Sequence, residues 1–165
     1  MPLEYDIITV GGGLAGSAVA KVMASRGASV LLVERETRFK DRIRGEALMP
    51  WGVDETRRIG VYDALRASCA RDVPNLLLIA GPLRSQRDVT ATTPQRLAVL
   101  TFYHPAMQEV MIAEAQAAGA QVVRGTRVRG VQPGKRPRVT IERDGEGRGM
   151  CRAARGLLRR MKLCG

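Results

Sequence analysis

The segment from Tyr5 to Glu34 constrains the fold of this 165-residue chain more than any other. The stretch Ile7–Val10 is rich in branched apolar residues and predicts a buried strand. It runs directly into the motif Gly11-x-Gly13-x-x-Gly16, after which apolar residues recur at helical spacing. A second apolar run, Ser29–Val33, predicts another strand that ends at an acid. The segment therefore predicts a βαβ unit with a glycine-rich turn between its first strand and its helix.

Each glycine of this motif has its own physical task. Gly11 allows the tight turn, Gly13 lets the backbone approach a pyrophosphate, and Gly16 lets the helix pack closely on the sheet. The pyrophosphate would meet N–H groups at the helix N-terminus, where the helix dipole also favours negative charge. Glu34 is placed to accept hydrogen bonds from the ribose hydroxyls of an adenosine. A glycine triplet alone is often only a turn, but with two strands, a helix and an acid it predicts a dinucleotide site.

Composition narrows the class and the compartment of the protein. A chain of 165 residues with 45% hydrophobic residues fits one globular domain. Cys69, Cys151 and Cys164 show no CxxC spacing, so neither a zinc site nor a disulfide framework is predicted. Glycines and Lys21 interrupt the first apolar stretch, which therefore lacks the pattern of a signal peptide or a membrane span. We expect a reduced, cytoplasmic protein without a metal site.

Beyond the βαβ unit, the sequence predicts a mixed region and then a return to the first sheet. The mixed region should contain two short helices, Gly52–Ile59 and Val61–Cys69, and a small β-meander made of Leu76–Ala80, Asp88–Thr93 and Leu97–Phe102. The return should consist of a long helix from Pro105 to Ala118, a third parallel strand at Ala120–Val123, and a hairpin of Arg127–Val131 with Arg138–Arg143. The predicted fold class is α/β, a Rossmann-like βαβ domain with a small β-meander.

The combination of these features resembles the N-terminal part of the FAD-dependent aromatic-ring monooxygenases, the para-hydroxybenzoate hydroxylase-like flavoproteins. The resemblance covers roughly residues 4 to 146. The segments that carry it are Asp6–Gly16, Glu34-Arg35, Arg44-Gly45-Glu46, Pro105–Gly119 and Val139–Gly145. The glycine motif is the least specific of these, and the combination is much more specific.

The resemblance implies FAD bound in an extended form, with NAD(P)H as its co-substrate. The implied cofactor-binding residues are Gly11, Gly12, Gly13, Leu14, Ala15, Gly16, Glu34, Arg35, Arg44, Gly45, His104, Gln108 and Val128. Arg35 and the backbone of Val128 would lie beside the adenine, and Arg44 would reach the phosphates or the ribityl chain. From the residues alone, Arg44 could equally be a surface partner of Glu46. His104, the single histidine, and Gln108 are the candidates for the ribityl chain, although a histidine at a helix start is also a structural cap.

The end of the chain departs from the family pattern. The net charge is +11, and between Arg148 and Gly165 the chain carries six basic residues and no acid. An arginine-rich ending without apolar pattern is what a shifted reading frame or a truncated gene would give. We therefore expect residues 1–147 to form a C-terminally incomplete FAD-binding domain and residues 148–165 to form a basic tail outside the fold. The missing strand and second domain should leave apolar surface exposed, which predicts self-association.

Four functions compete for this sequence. The first is a truncated flavoprotein monooxygenase that hydroxylates a small organic substrate, and the second is a non-catalytic FAD-binding fragment. The third, an NAD-dependent dehydrogenase, does not account for Arg44-Gly45-Glu46. The fourth, nucleic-acid binding through the basic tail, lacks aromatic interleaving and a known module. We expect the first, with neither nucleic acid nor membrane as a partner. Enzyme activity stays open, because without a substrate-binding region no residue can be assigned a catalytic role.

Overall fold

The computed structural model describes residues 3–42, 45–143 and 147–153. The strands of this part of the chain are β1 (Leu3–Tyr5), β2 (Ile7–Val10), β3 (Val30–Val33), β4 (Ala47–Leu48), β5 (Ala70–Val73), β6 (Asn75–Ala80), β7 (Leu83–Asp88), β8 (Val99–Phe102), β9 (Gln121–Val123), β10 (Thr126–Gln132), β11 (Arg138–Arg143) and β12 (Gly147–Ala153). Its helices are α1 (Leu14–Ser25), α2 (Pro50–Arg58), α3 (Tyr62–Ser68), α4 (Val89–Thr92) and α5 (His104–Ala117). The elements fall into two compact units, one formed by Met1–Phe39 with Met111–Gly165 and the other by Lys40–Val110.

The first unit contains the predicted βαβ core. Strands β2, β3 and β9 form a parallel sheet, so the expected third parallel strand is confirmed. Helix α1 and the second half of α5 cover one face of this sheet. The buried side chains on that face are Ala20, Ala24, Val30, Leu32, Ala115 and Ala120. The alanines of the two helices meet the branched residues of β3, so the helix backbones can approach the sheet closely.

A second sheet covers the opposite face of the parallel sheet. Its strand order is β1-β12-β11-β10, and the predicted hairpin of β10 and β11 is confirmed. Tyr5, Leu31 and Val33 form a buried cluster, against which Val128 and Ile141 of this sheet pack. Residues of β3 therefore alternate between two apolar layers, and all four of them are buried. Such burial on both faces explains why Val30–Val33 has no polar position.

Strand β12 corrects the predicted boundary of the fold. It pairs antiparallel with β11 and parallel with β1, with Leu3 opposite Cys151 and Arg143 opposite Gly147. The expectation that residues 148–165 lie outside the fold is therefore wrong for residues 148–153, and the strand thought to be missing is present. Backbone hydrogen bonds to a neighbour on each side form this strand, so it needs no apolar alternation. The dipeptide Asp144-Gly145, whose sequence predicts a turn after the hairpin, and residues 154–165 lie outside the described residues.

The second unit is built on a three-stranded antiparallel sheet of order β4-β8-β5. Helices α2 and α3 match the two predicted short helices, and Gly60, with a φ of +70°, separates them. Val53 of α2, Leu65 of α3 and Leu100 of β8 are buried. Antiparallel strands occur here as predicted, but the pairing differs from a meander. Strand β6 pairs with β7 in a separate hairpin. Strand β5, which precedes this hairpin in sequence, pairs with β8, which follows it.

The predicted strand Asp88–Thr93 is largely a short helix, α4. Asp88 is its N-cap and accepts hydrogen bonds from the Thr90 hydroxyl at 2.7 Å and from the Ala91 N–H at 3.0 Å. These bonds, led by that from Thr90, lower the pKa of Asp88. The β-branched residues of this segment favour a strand in isolation, but the carboxylate cap turns the chain into a helical turn at the end of β7.

Strand β6 is exposed along its whole length although five of its six residues are apolar. Leu77 is 64% exposed, and Leu78 and Ile79 are each 58% exposed. This strand carries the largest run of exposed apolar side chains among the described residues. Among all the residues that the structure describes, no helix has both the length and the apolar character that crossing a bilayer requires.

We predict that Leu32→Ala reduces the free energy of unfolding by about 2–5 kcal/mol, because Leu32 has no exposed surface and its truncation leaves a cavity between α1 and the sheet. Leu77→Ala is the matched control, since it removes the same atoms from an exposed position and should change stability by no more than about 0.5 kcal/mol. Urea unfolding followed by circular dichroism measures both. Equal losses in the two variants would contradict the described core.

Candidate dinucleotide site

The turn between β2 and α1 is fixed by a backbone hydrogen bond to the neighbouring strand. The Gly11 N–H donates to the Val33 carbonyl at 2.8 Å. Gly11 has a φ of +97°, a conformation that side chains of L-residues rarely adopt. Because β2 and β3 are parallel, the turn and the residue after Val33 lie at the same edge of the sheet. The first glycine of the motif therefore has the role that its position predicts.

Gly16 is required by its approach to this turn. A Cβ atom on Gly16 would lie 2.0 Å from the Gly11 carbonyl oxygen, and that oxygen is backbone that cannot rotate away. The sequence predicts that Gly16 permits close packing of helix on sheet. In the structure the closest neighbour of Gly16 is instead Gly11, in the turn that precedes α1. Any side chain at Gly16 would therefore displace the loop that Gly11 shapes.

The N-terminus of α1 has no side-chain cap. Its N-cap residue is Gly13, which has no side chain to donate or accept, and its first turn has no acidic residue. The Ser17 N–H bonds to the Gly13 carbonyl at 3.0 Å, so the N–H groups of Leu14, Ala15 and Gly16 precede the first intrahelical bond. Three consecutive donors and a positive helix dipole suit a diphosphate. The turn therefore fits the pyrophosphate of a dinucleotide.

Glu34 is buried beside this turn and binds it directly. Its side chain is 6% exposed, and its Oε2 atom accepts a hydrogen bond from the Gly12 N–H at 2.5 Å. Its Oε1 atom accepts from the Glu36 N–H at 2.8 Å. Each carboxylate oxygen can accept a further bond, so the predicted bonds from ribose hydroxyls remain available. The sequence predicted where this acid lies but missed that it holds the glycine turn in place.

Two other residues of the first unit are predicted to bind the cofactor, Arg35 after β3 and Val128 in β10. Arg35 is exposed and pairs with Glu36 at 3.5 Å. Val128 lies in β10, half-buried against the cluster of Tyr5, Leu31 and Val33. The turn, Glu34 and Arg35 thus form a continuous group at the carboxyl ends of β2 and β3.

The remaining predicted residues belong to the second unit, apart from Arg44, which lies outside the described residues. Gly45 precedes β4, with open space where a Cβ atom would lie. His104 is the first residue of α5, and its buried Nδ1 atom has no hydrogen-bond partner among the described residues. Gln108 follows one turn later and is half-buried. No group of three or more His, Cys, Asp or Glu side chains in the described ranges could hold a metal ion.

Comparison with known families identifies this arrangement. Residues 4–152 match the family described as FAD binding domain. That match spans the βαβ unit, the whole second unit and all of strand β12 except its last residue, Ala153. It therefore includes residues 148–152, five residues that the sequence pattern alone assigned to a tail.

Curated relatives align over shorter stretches. A squalene monooxygenase of Eremothecium gossypii is 46% identical over 61 residues, which is 37% of this chain and 12% of the relative. A squalene epoxidase of Candida albicans is 32% identical over 98 residues, which is 56% of this chain and 20% of the relative. The chain thus spans about an eighth to a fifth of the length of these relatives.

Solved structures share the fold over nearly the whole chain. The p-nitrophenol 4-monooxygenase of Pseudomonas putida superposes with a TM-score of 0.80 at 18% identity, covering 93% of this chain and 40% of that one. Aklavinone-11 hydroxylase, solved with FAD and aklavinone, superposes with a TM-score of 0.76 at 23% identity, covering 93% of this chain and 32% of that one. These two proteins therefore share the α/β fold of this chain.

We predict that Gly16→Ala abolishes FAD binding and lowers the free energy of unfolding by about 1–3 kcal/mol, because the added methyl group collides with the Gly11 carbonyl. Gly130→Ala in β10 is the matched control, since a Cβ atom there meets open space. Flavin fluorescence during titration measures binding, and urea unfolding measures stability. A Gly16→Ala protein that binds FAD like the Gly130→Ala control would contradict the described turn.

Proposed function

We propose that this chain, which belongs to the family of FAD-binding domains, holds FAD at the glycine turn of its first unit as part of a flavoprotein monooxygenase. The observation that carries the proposal is the uncapped N-terminus of α1 beside a glycine turn that a buried carboxylate holds. The names of relatives support the reaction type, since they include squalene monooxygenase and p-nitrophenol 4-monooxygenase.

Residues of the first unit would bind the adenosine diphosphate half of FAD. The N–H groups of Leu14, Ala15 and Gly16 would donate to the pyrophosphate oxygens, with no side chain of Gly13 in the way. Glu34 would accept from the ribose hydroxyls with its remaining lone pairs. Arg35, exposed beside it, and the backbone of Val128 would flank the adenine.

The remaining candidate residues would serve the riboflavin half. We assign His104, Gln108, Arg44 and Gly45 to the ribityl chain and its phosphate, on the resemblance described above. The unsatisfied Nδ1 atom of His104 supports this assignment, because a buried polar atom without a partner has an acceptor or donor still to find.

When bound, FAD would supply the redox chemistry, with NAD(P)H as the reductant and O₂ as the source of one oxygen atom for a small organic substrate and one for water. The chain's own contribution is to bind and orient the dinucleotide. The uncharged turn and the α1 dipole hold the negative pyrophosphate, and the Gly12–Glu34 bond keeps the turn in its binding conformation. We place this activity in the cytoplasm, in keeping with the spacing of the cysteines.

Two alternatives share the glycine turn. A domain that binds FAD without turnover would use the same residues. An NAD-dependent dehydrogenase would use the same turn for a different dinucleotide. The match to FAD-binding domains over residues 4–152 favours flavin over this last alternative.

We predict that the purified chain shows a flavin absorption spectrum and releases FAD, rather than FMN, on denaturation. Addition of NADPH or NADH under anaerobic conditions should then bleach the flavin, and readmission of air should restore it. FAD that no pyridine nucleotide reduces would indicate the non-catalytic alternative. A colourless protein that takes up NAD but no added FAD would contradict the proposed cofactor.

Self-association through exposed apolar surface is proposed for this chain as well. The expectation rested on a missing strand and a missing second domain. Strand β12 is present, and the exposed strand β6 supports the proposed self-association. Strand β6 pairs on one edge with β7 and has apolar side chains on both faces, a pattern typical of strands covered by further structure. We predict that light scattering shows oligomers that Leu78→Lys dissociates. A monodisperse, monomeric wild-type sample would contradict this proposal.

A further inference from the structure

The segment after β9, Arg124–Gly125–Thr126, contacts the loop after β3 at several points. The Arg124 Nε–H donates to the Glu36 carbonyl at 3.3 Å, and its guanidinium carbon lies 4.8 Å from the centroid of the Phe39 ring. The Thr126 N–H donates to the Glu34 carbonyl at 3.0 Å. The bond from Arg124 to Glu36 joins residues 88 positions apart in sequence, and all of these residues belong to the first unit. The loop from Glu34 to Phe39 is therefore fastened to the end of β9.

A hydrogen bond and a close contact also constrain the segment Arg124–Gly125–Thr126 itself. Thr126 is 2% exposed, and its hydroxyl donates to the Arg124 carbonyl at 3.1 Å. Gly125 has a φ of +64°, and a Cβ atom there would lie 3.1 Å from the Thr37 Cγ2 atom. A glycine thus allows the chain to turn while it approaches the loop closely. The geometry leaves little freedom for the loop to move away from β9.

This loop continues directly to the glycine turn. The Glu36 N–H holds one oxygen of the Glu34 carboxylate, and the other oxygen holds the Gly12 N–H. The Glu36 carbonyl, at the other end of the same residue, is the acceptor for Arg124. A shift of Glu36 would therefore rotate the Glu34 carboxylate away from the ribose and the turn.

We propose that Arg124 is a positioning residue for the adenosine half of the dinucleotide. It fixes the loop of residues 34–39 through the Glu36 carbonyl and the Phe39 ring, and so orients the Glu34 carboxylate, without contacting the cofactor itself. This inference rests on the proposed function, because the ligand that Glu34 would serve is the adenosine diphosphate of FAD.

The test compares the dissociation constants of ADP and inorganic pyrophosphate by calorimetry. Arg124→Ala should weaken ADP binding about tenfold while pyrophosphate binding stays within about twofold, since pyrophosphate needs only the N-terminus of α1. A purely structural loss would weaken both ligands together. Arg127→Ala is the matched control, because it removes the same charge from an exposed position three residues away in β10. It should leave both constants unchanged.

Two further variants separate position from charge. Phe39→Leu keeps the charge of Arg124 but removes the ring beneath it, and should reproduce part of the ADP loss. Arg124→Lys keeps the charge but loses the Nε–H donor, and should not restore ADP binding fully. Full restoration by lysine with no effect of Phe39→Leu would overturn the proposal in favour of direct attraction between charges. Unchanged ADP binding in Arg124→Ala would overturn it as well.

The wild-type chain distinguishes this proposal from the one on which it rests. If the wild-type chain binds neither FAD nor ADP, both the proposed function and the proposed role of Arg124 are contradicted. If the wild-type chain binds both ligands and the Arg124→Ala variant binds ADP equally well, only the proposed role of Arg124 is contradicted. Phe39→Leu gives the same comparison where Arg124→Ala does not fold.

Discussion

The hydrogen bond from the Gly12 N–H to the buried Glu34 carboxylate joins the first turn of the βαβ unit to the residue that follows its last strand. A buried carboxylate without partners is costly, and bonds to a charged group contribute about 1.5–3 kcal/mol. Both oxygens of Glu34 are therefore bound to backbone N–H groups, one on the turn and one on the loop after β3. Burial of this acid, at the edge where parallel strands end, makes the turn and the loop a single structure.

The site is thus a set of mutually dependent loops rather than a glycine motif alone. Gly16 brings the start of α1 against the Gly11 carbonyl, and the Gly11 N–H bonds to the end of β3. The N–H groups of the α1 N-terminus keep their positions because the turn beneath them is held from both sides. Preorganisation of this kind lowers the cost of ordering the turn when an anionic ligand arrives. These contacts would hold the turn in position for the pyrophosphate of the proposed cofactor.

The sequence was sufficient for the parts of the fold that local pattern determines. The βαβ unit, the parallel strand β9 and the β10–β11 hairpin follow from apolar periodicity, glycine placement and turn residues. Strand β12 could not be predicted this way, because its sequence of Gly147, Arg148 and Gly149 has no apolar alternation and its pairing partners decide its conformation. Helix α4 was missed because the cap by Asp88 outweighs the strand propensity of Val89 and Thr90.

The same distinction applies to the candidate site. The spacing of the glycines and of Glu34 predicted which residues meet at the sheet edge, since parallel strands end together. The bond from Gly12 to Glu34 and the contact of Arg124 with Glu36 were not predictable, because they depend on side-chain orientation between segments 22 and 88 residues apart. Amide hydrogen exchange of the ligand-free chain tests the central claim most directly. We expect a protected Gly12 N–H before FAD is added, and exchange at Leu14, Ala15 and Gly16 that FAD slows. A Gly12 N–H that becomes protected only with FAD would mean that the cofactor, not Glu34, forms the turn.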